Sequence, residues 1–291
     1  MKHQETVNAV NKILDEYSFP LTLRQIYYRL VAKNAIPNKR SAYNGLSKIL
    51  VKARENGEVD DTRIEDRSRG VLEAPKGYDS PEEFIESMKR FFKASPPALY
   101  HANLWGGQDT FVEVWIEKDA LSRVIQQIAE PLRVTVAPSR GYSSYTFIKR
   151  DAVDNRFDEI DPKKPIIILD FRDHDPSGIQ MTEDLQTRFT TYGKGRSIEV
   201  KRIALTIDQV RQHDLPPNPT KIADTRSGKY RTRFGDKCWE LDAIEPGELQ
   251  KIVRDAIEGC IDKRKWNQSL EREGQERQEL IERFKKVRIT V

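Results

Sequence analysis

The feature that most constrains the fold is an alternation of strand-like and helical segments between residues 110 and 205. The pattern predicts strands at 110–117, 133–137, 165–170 and 198–205, and helices at 120–129, 143–153 and 177–189. The run Ile166-Ile167-Ile168-Leu169 is apolar throughout, which is typical of a strand buried on both faces. Alternation of this kind predicts an α/β fold with a mostly parallel sheet flanked by helices. Functional side chains are then expected at the carboxyl ends of the strands.

The composition excludes several classes of protein. Charged residues make up 33% of the chain and hydrophobic residues 37%, which is polar but still typical of a globular protein. No run of 18 apolar residues is present, and the first ten residues lack the apolar stretch of a signal peptide. Cys238 and Cys260 are too few for a disulfide framework or a cysteine zinc site. We therefore expect a cytoplasmic protein.

The first quarter of the chain is basic. Residues 1–70 carry 13 Lys or Arg and 9 Asp or Glu, an excess of +4 that equals the net charge of the whole chain. The stretch from Tyr17 to Arg54 has eight basic residues and no acidic one. Such a stripe favours phosphate backbones without reading sequence, and a solvated basic face is the alternative. The candidate DNA contacts are Arg29, Lys33, Lys39, Arg40, Lys48, Lys52 and Arg54.

Three helices and a wing are predicted in this basic region. Apolar residues at helical spacing indicate a helix at 5–16. Thr22 is a plausible N-cap for a helix over 23–34, and Ser41 for one that ends at Asn56-Gly57. The charged, glycine-containing segment 57–75 resembles a small hairpin. This order is typical of a winged helix-turn-helix domain that offers its third helix to the major groove of DNA.

Two of the predicted strands end in carboxylates. Glu117 follows the first strand, and Asp173 and Asp175 follow the apolar third strand. Hard oxygen ligands of this kind suit Mg²⁺, which can neutralise charge on an attacked phosphodiester. Helix caps and solvated turn residues are the alternative, because Asp175-Pro176 is a good helix start. His174, between the two aspartates, is expected to point away from them.

A pair of tyrosines lies within the basic stripe. On the helix at 23–34, Leu23, Ile26, Tyr27 and Leu30 share the apolar face, whereas Tyr28 and Arg24 share its exposed flank. A tyrosine needs a nearby cation or base to act as a nucleophile, and Arg24 could supply the charge and contact a phosphate. The alternative is a tyrosine that stacks or hydrogen-bonds at a DNA surface.

The three pieces together resemble the topoisomerase VI A subunit and the meiotic double-strand-break transesterases. That family joins a winged helix with the motif R-x-x-Y/F-Y to a Toprim domain with V-E-K and D-x-D-P-x-G. This chain has Arg24-Gln25-Ile26-Tyr27-Tyr28, then Ile116-Glu117-Lys118, then Asp173-His174-Asp175-Pro176-Ser177-Gly178, in the family's order. The glycine turn G-x-G-Y is matched only in part by Ser139-Arg140-Gly141-Tyr142. The resemblance covers about residues 5–205.

The resemblance implies a Mg²⁺-dependent enzyme that breaks double-stranded DNA. Tyr28 would be the nucleophile that forms a 5′-phosphotyrosyl link, with Glu117, Asp173 and Asp175 as metal ligands. A homodimer is implied, because in the family the tyrosine of one subunit works beside the metal site of the other. The protein would then be associated with the nucleoid. Two alternatives remain, namely a Toprim nuclease that hydrolyses DNA with Tyr28 structural, and a DNA-binding protein without chemistry.

The sequence patterns and the resemblance together divide the chain into three parts. We expect a winged-helix domain at 1–75, a linker with one helix at 76–108, and a Toprim-like domain at 109–291 whose C-terminal part is a charged helical tail. In the family an ATPase B subunit docks on a longer segment ahead of the winged helix. Only 27 residues precede Tyr28, so ATP-driven strand passage is not expected of this chain alone. Residues 206–245 are predicted to be an extended loop region.

Overall fold

The computed structural model describes residues 3–65, 78–94, 99–219 and 227–286. Its helices, in chain order, are His3–Asp15 (α1), Leu23–Ala32 (α2), Arg40–Glu55 (α3), Pro81–Ala94 (α4), Asp119–Ala129 (α5), Thr146–Arg156 (α6), Pro176–Tyr192 (α7), Ile207–Gln212 (α8), Ser227–Phe234 (α9), Pro246–Glu258 (α10) and Lys263–Lys286 (α11). Its strands are Leu21–Thr22 (β1), Ile64–Glu65 (β2), Phe111–Ile116 (β3), Thr135–Pro138 (β4), Ile166–Phe171 (β5), Ile198–Ala204 (β6), Asn218–Pro219 (β7) and Lys237–Cys238 (β8). Short 3-10 turns lie at Asp61–Arg63 and Leu241–Ala243.

The centre of the fold is a parallel four-stranded sheet with the order β4-β3-β5-β6. Strands β3 and β5 are its middle strands, and every residue of β5 is buried. Helices α6 and α7 pack around Trp115 and Phe157, while α5 packs with α10 and against the β4 edge. The predicted mixed α/β fold, with a parallel sheet flanked by helices, is therefore confirmed.

The register of the middle strands brings the predicted carboxylates together. Ile116 lies opposite Phe171, so β3 and β5 end at the same level of the sheet. The backbone amide of Glu117 continues this ladder by donating to the carbonyl of Phe171 at 3.1 Å. Residues 117 and 173 therefore leave the sheet at the same edge.

Helix α2 begins as the sequence predicts. The Thr22 hydroxyl accepts from the amide of Gln25, and the Gln25 side chain accepts from the amide of Thr22. This reciprocal pair satisfies amides that the first turn of a helix leaves free. The N-cap prediction for α2 is thus confirmed.

One other prediction for the basic region differs from the structure, and the predicted hairpin falls only in part within the described residues. Helix α3 begins at Arg40 with Lys39 as its N-cap and no capping side chain, so the Ser41 cap is wrong. Residues 57–65 contain a 3-10 turn and the short strand β2, which pairs in parallel with β1. This parallel pair is not itself the predicted hairpin, whose second arm would fall beyond residue 65. The remainder of the predicted wing, 66–75, lies outside the described residues, as does the boundary at residue 75.

The segment 206–245 is not an extended loop throughout. It contains α8, α9 and the antiparallel pair β7–β8 within its described part, 206–219 and 227–245. Local patterns are short here, since α8 spans six residues and each strand two. The predicted helical tail is confirmed by α10 and α11.

The chain separates into two compact units. One unit runs from the N-terminus to Arg69 and from Thr110 to Cys260, and it contains the basic helices and the central sheet. The other joins Gly70–Asp109 to Ile261–Val291. In this second unit Trp105 and Trp266 contact edge to face at 5.6 Å, and the Tyr100 hydroxyl donates to Glu276 at 2.5 Å. Among the described helices, none combines the length and apolar character needed to cross a membrane.

Candidate functional site

The loop after β5 presents two carboxylates above the start of α7. Asp175 is the N-cap of α7, where its Oδ1 accepts from the amide of Gly178 at 2.6 Å and Pro176 follows. Asp173 Oδ1 accepts from the amide of Leu241 at 2.8 Å. Burial and then the neighbouring charge of Asp173 raise the pKa of Asp175. Asp175 is therefore both a helix cap and a member of an acidic cluster.

The backbone of this loop is tightly packed at Gly178. A Cβ atom at this position would lie 2.2 Å from the carbonyl oxygen of Asp173 and 3.2 Å from Asp175 Oδ1. No side chain larger than hydrogen fits at such a distance without moving the loop. The glycine of the D-x-D-P-x-G pattern is thus needed for the close approach of α7 to Asp173.

Arg202, from β6, binds the backbone of the same loop. Its guanidinium donates to the carbonyl oxygens of Arg172 and Asp173 and, at 2.9 Å, to that of Gly178. It also donates to the Thr182 hydroxyl at 2.8 Å. Burial lowers the pKa of Arg202. One planar cation thus fixes both ends of the turn that carries the aspartates.

Glu117 brings a third carboxylate to this edge. Its Oε2 atom is buried and has no hydrogen-bond partner among the described residues. Burial and then the nearby charge of Asp173 raise the pKa of Glu117 to about 7. A buried carboxylate oxygen without a partner is costly, so this atom is available to a proton or to a cation.

Lys118 balances much of the negative charge at the site. Its ammonium lies 2.8 Å from Asp173 Oδ1 and 3.1 Å from Glu240 Oε2, and it also pairs with Asp242. Burial alone lowers the pKa of Lys118, but these three carboxylates outweigh it and raise the pKa well above its usual range. Lys118 is therefore a fixed cation in the acidic cluster.

Arg24 reaches the same cluster from the basic region. Its guanidinium pairs with Glu240, so one carboxylate is shared between Arg24 and Lys118. The Arg24 side chain retains 41% exposure, which leaves it open to a ligand. The predicted candidate Arg24 therefore lies beside the carboxylates of the α/β part.

Tyr28 is buried rather than on an exposed flank, so that part of the prediction is wrong. Its exposed fraction is 3%, almost the same as the 4% of Tyr27. The Tyr28 hydroxyl accepts from Asn218 Nδ2 at 3.1 Å, and β7 covers a surface that the helix alone would leave open. Burial and then the charge of Glu240 raise the pKa of Tyr28, while Asn218, Lys118 and Arg24 act in the opposite direction.

A cavity of about 800 Å³ joins these groups. Its wall includes the candidate nucleophile Tyr28, Arg24, and both aspartates, Asp173 and Asp175. Glu117 is not part of the wall, although its charge interacts with both aspartates. Other lining residues come from α3 and its N-cap, namely Lys39, Arg40, Tyr43 and Asn44.

The basic candidates fall into two groups. Arg29 donates to the carbonyl oxygen of Ala243, Lys33 pairs with Glu16, and Arg54 pairs with Asp61. The other four, Lys39, Arg40, Lys48 and Lys52, are exposed and have no ion pair with any residue that the structure describes. These four residues, which we call the α3 basic face, are the ones free to meet phosphate.

His174 points away from the aspartates, as predicted. It is buried, its Nδ1 lies 2.8 Å from the Tyr230 hydroxyl, and its ring contacts Phe234 edge to face. Burial lowers the pKa of His174 to about 4, so the ring is neutral near pH 7. Its role is to hold α9 against the loop rather than to contact a ligand in the cavity.

Sequence reasoning missed several residues that build the site. Lys118 belongs to the Ile116-Glu117-Lys118 motif, but the sequence alone assigned it no role. The others come from distant parts of the chain, without a local pattern to reveal them: Arg202, Asn218, Glu240 and Asp242.

The side chains at this edge of the sheet include donors suited to Mg²⁺. Within the described ranges, no group of three or more His, Cys, Asp or Glu side chains is already arranged to hold a metal ion. The carboxylates are nevertheless hard oxygen donors, and Glu117 Oε2 has no hydrogen-bond partner in the described part of the chain. Mg²⁺ keeps several waters and needs only one or two protein carboxylates, so the chemistry of the donors fits. A metal ion bound to Asp173 would compete with Lys118 for this carboxylate.

Known proteins provide no family assignment for the chain. A scan against protein-family models finds no match, and a search of curated proteins finds none either.

Proposed function

We propose that this chain is a Mg²⁺-dependent transesterase that cleaves double-stranded DNA through Tyr28. The proposal combines a winged-helix-type region, residues 1–75, with a Toprim-like sheet. The observation that carries it is the shared cavity, whose wall contains Tyr28, Arg24, Asp173 and Asp175. A nucleophile, a cation and metal-type carboxylates are the groups that phosphodiester transfer requires.

The reaction exchanges one phosphoester for another. Tyr28 Oη attacks the phosphorus atom, a Tyr–O–P bond forms, and the bond from phosphorus to the 3′ oxygen breaks. The phenol loses one proton and the 3′ oxygen takes up one, so no proton is gained or lost overall. The products are a 5′-phosphotyrosyl link and a free 3′-hydroxyl.

Arg24 is the residue best placed to receive the scissile phosphate. Its partner in the free protein is Glu240, which also binds Lys118. A phosphate that replaces Glu240 at Arg24 would keep the cation paired and leave Glu240 to Lys118. The same positive charge favours the ionised form of Tyr28, whose pKa the Arg24 charge lowers.

Glu117, Asp173 and Asp175 would hold the Mg²⁺ ion. When bound, the ion supplies positive charge against the phosphate oxygens. Arg202 keeps the loop of the aspartates in place through its contacts with three carbonyl oxygens. Two such sites are needed for a double-strand break, so we propose a homodimer. ATP-driven strand passage would require a separate ATPase B-type subunit.

A hydrolytic nuclease is a second candidate, because of the environment of Tyr28. The side chain is 3% exposed and its pKa is raised by burial, both of which oppose nucleophilic attack. In a nuclease of this kind water would attack the phosphate and Tyr28 would only shape the cavity. A DNA-binding protein without chemistry would use the α3 basic face alone.

The test is cleavage of supercoiled plasmid by the purified protein in Mg²⁺. The reaction is stopped with SDS, and half of each sample is treated with proteinase K. We expect linear DNA that carries protein on its 5′ ends. Tyr28→Phe should remove cleavage and adducts while DNA binding persists, because only the hydroxyl is lost. Tyr27→Phe is the matched control, since its hydroxyl donates to Asn38, in the loop before α3, and has no hydrogen bond with Asn218 among the described residues.

The outcomes separate the three functions. Cut DNA without attached protein would identify hydrolysis, and full activity of Tyr28→Phe would exclude the transesterase. Asp173→Ala should lose Mg²⁺-dependent cleavage. Binding without cleavage by the wild-type chain would support the non-catalytic alternative.

A further inference from the structure

Helix α2, which carries Tyr28, is attached to the acidic edge of its own chain. Arg24 pairs with Glu240, and Arg29 donates to the carbonyl oxygen of Ala243. Both partners lie in the segment around the Leu241–Ala243 turn, which also binds Asp173 through the amide of Leu241. The helix and the aspartate loop therefore share one support.

Strand β7 makes a second attachment on the other side of Tyr28. Asn218 Nδ2 donates to the Tyr28 hydroxyl at 3.1 Å, and Asn38 Nδ2 donates to the carbonyl oxygen of Pro217 at 2.9 Å. β7 pairs with β8, and β8 leads directly into Glu240. Tyr28 is thus bound by Asn218 of its own chain, and the charge of Glu240 from the same chain also acts on it.

A chain of ion pairs links helix α2 to the carboxylates of the aspartate loop. Glu240 binds Arg24 on one side and Lys118 on the other, and Lys118 binds Asp173 at 2.8 Å. Three consecutive ion pairs therefore connect the helix of the tyrosine to the aspartate loop. Tyr28 and Asp173 also line the same cavity of about 800 Å³.

We infer that each chain builds a complete active site from its own residues, so that Tyr28 acts beside Asp173 and Asp175 of the same chain. This inference rests on the proposed transesterase function. It departs from the arrangement implied by the resemblance, in which the tyrosine reaches the metal site of a partner subunit. A homodimer would then hold two complete sites, one for each DNA strand.

If Tyr28 acted at the metal site of a partner subunit, helix α2 would have to give up several contacts within its own chain. Tyr28 would have to leave a buried position, Arg24 and Arg29 would lose their partners, and Asn38 and Asn218 would lose theirs. Each lost contact is costly, because a buried or half-buried polar group is left without its hydrogen-bond partner. Within one chain, by contrast, a phosphate needs only to enter the existing cavity.

A mixed oligomer distinguishes the two arrangements. Chains with Tyr28→Phe and chains with Asp173→Asn are co-expressed with different affinity tags and purified through both tags. If sites form within one chain, every site in the mixed oligomer has one lesion, and we expect no adducts above the background of either variant alone. If sites form between chains, one site is intact, so about half of the wild-type adduct returns, attached to the Asp173→Asn chain.

Controls keep this result interpretable. A wild-type chain paired with Tyr28→Phe must retain about half the adducts, which shows that mixed oligomers are competent. Glu117→Gln in place of Asp173→Asn gives a second test if Asp173→Asn folds poorly. Adducts formed by a wild-type protein that is monomeric in solution would also support the inference, whereas restored adducts in the mixed oligomer would overturn it. If wild type forms no adduct at all, the proposed function fails, and this assignment fails with it.

A second measurement needs neither metal nor DNA. Cysteines are placed at residues 28 and 218, with Cys238 and Cys260 changed to serine, and joined with a short thiol crosslinker. The double variant Tyr28→Cys/Asn218→Cys should crosslink within one chain, and a mixture of the two single variants should give no crosslinked dimer. The opposite pattern would place Tyr28 against a partner and overturn the inference.

Discussion

The positive charge of Lys118 offsets the repulsion between the carboxylates that lie close together at the site. Asp173, Glu240 and Asp242 all bind its ammonium, yet Oε2 of Glu117, the preceding residue, has no hydrogen-bond partner within the described ranges. The site therefore has one carboxylate that its own cations do not satisfy. This imbalance indicates where an added proton or cation is most needed.

Glu117→Gln should stabilise the metal-free protein at alkaline pH. The pKa of Glu117 is raised by burial to about 7 from its usual 4.5, so the folded chain binds this proton more tightly than the unfolded chain. Its contribution to stability is complete below pH 4.5 and is lost as the pH rises through about 7. At pH 8 the amide should therefore raise the free energy of unfolding by up to about 3 kcal/mol.

Urea unfolding in EDTA at pH 5 and pH 8 measures this effect. The gain should fall to about 1 kcal/mol or less at pH 5, where Glu117 of the folded wild-type chain carries its proton. The exposed Glu130, at the end of α5, provides the control Glu130→Gln, for which we expect little difference between the two pH values. An equal gain at both pH values would show that the charge of Glu117 is not the cause.

At the scale of elements, the sequence predicted well where the information is local. The capping box of α2 lies within four consecutive residues. The apolar run of β5 identifies a buried strand without any knowledge of the strands that pair with it. The position of Tyr28 could not be predicted in the same way. Helical periodicity placed it on an exposed flank, whereas β7, some 190 residues later, covers that flank. The covering contact depends on tertiary packing, which periodicity does not contain.

The junction of β5 and α7 provides the prediction at this scale. Gly178→Ala should lower the free energy of unfolding by about 1–3 kcal/mol, because the new methyl group overlaps the carbonyl oxygen of Asp173 and the loop must shift. The shift should also weaken Mg²⁺-dependent cleavage, since Asp173 moves with the loop. Urea unfolding and the plasmid assay measure the two effects.

Gly45→Ala is the matched control for this change. Gly45 lies inside α3 of the same compact unit, and a Cβ atom there has no neighbour within 4 Å. Alanine in a helix interior is favoured over glycine by up to about 1 kcal/mol, so this variant should be slightly more stable than wild type. If Gly178→Ala were as stable as Gly45→Ala, the close approach at Asp173 would be refuted.

At the scale of the whole molecule, the fold divides the basic residues at 17–54 into two groups, those bound within the protein and those left exposed. The sequence presents eight basic residues as one group, but Arg24, Arg29, Lys33 and Arg54 have partners within the protein. The α3 basic face keeps the other four exposed, and it borders the cavity through Lys39 and Arg40. Which cations are free could not be predicted, because their carboxylate and carbonyl partners lie in other elements.

This division makes a prediction about the salt dependence of DNA binding. Each phosphate contact contributes about 0.9 to the slope of log K against log salt concentration. Lys48 and Lys52 lie one helical turn apart on the α3 basic face and are exposed, so the double variant Lys48→Gln/Lys52→Gln should reduce the slope by about 2. Fluorescence anisotropy with a duplex of unrelated sequence, at several salt concentrations, measures the slope.

Lys251→Gln/Arg254→Gln removes the same charge from α10 and should leave the slope nearly unchanged. An equal decrease in both double variants would mean that net charge, rather than the α3 basic face, governs the interaction.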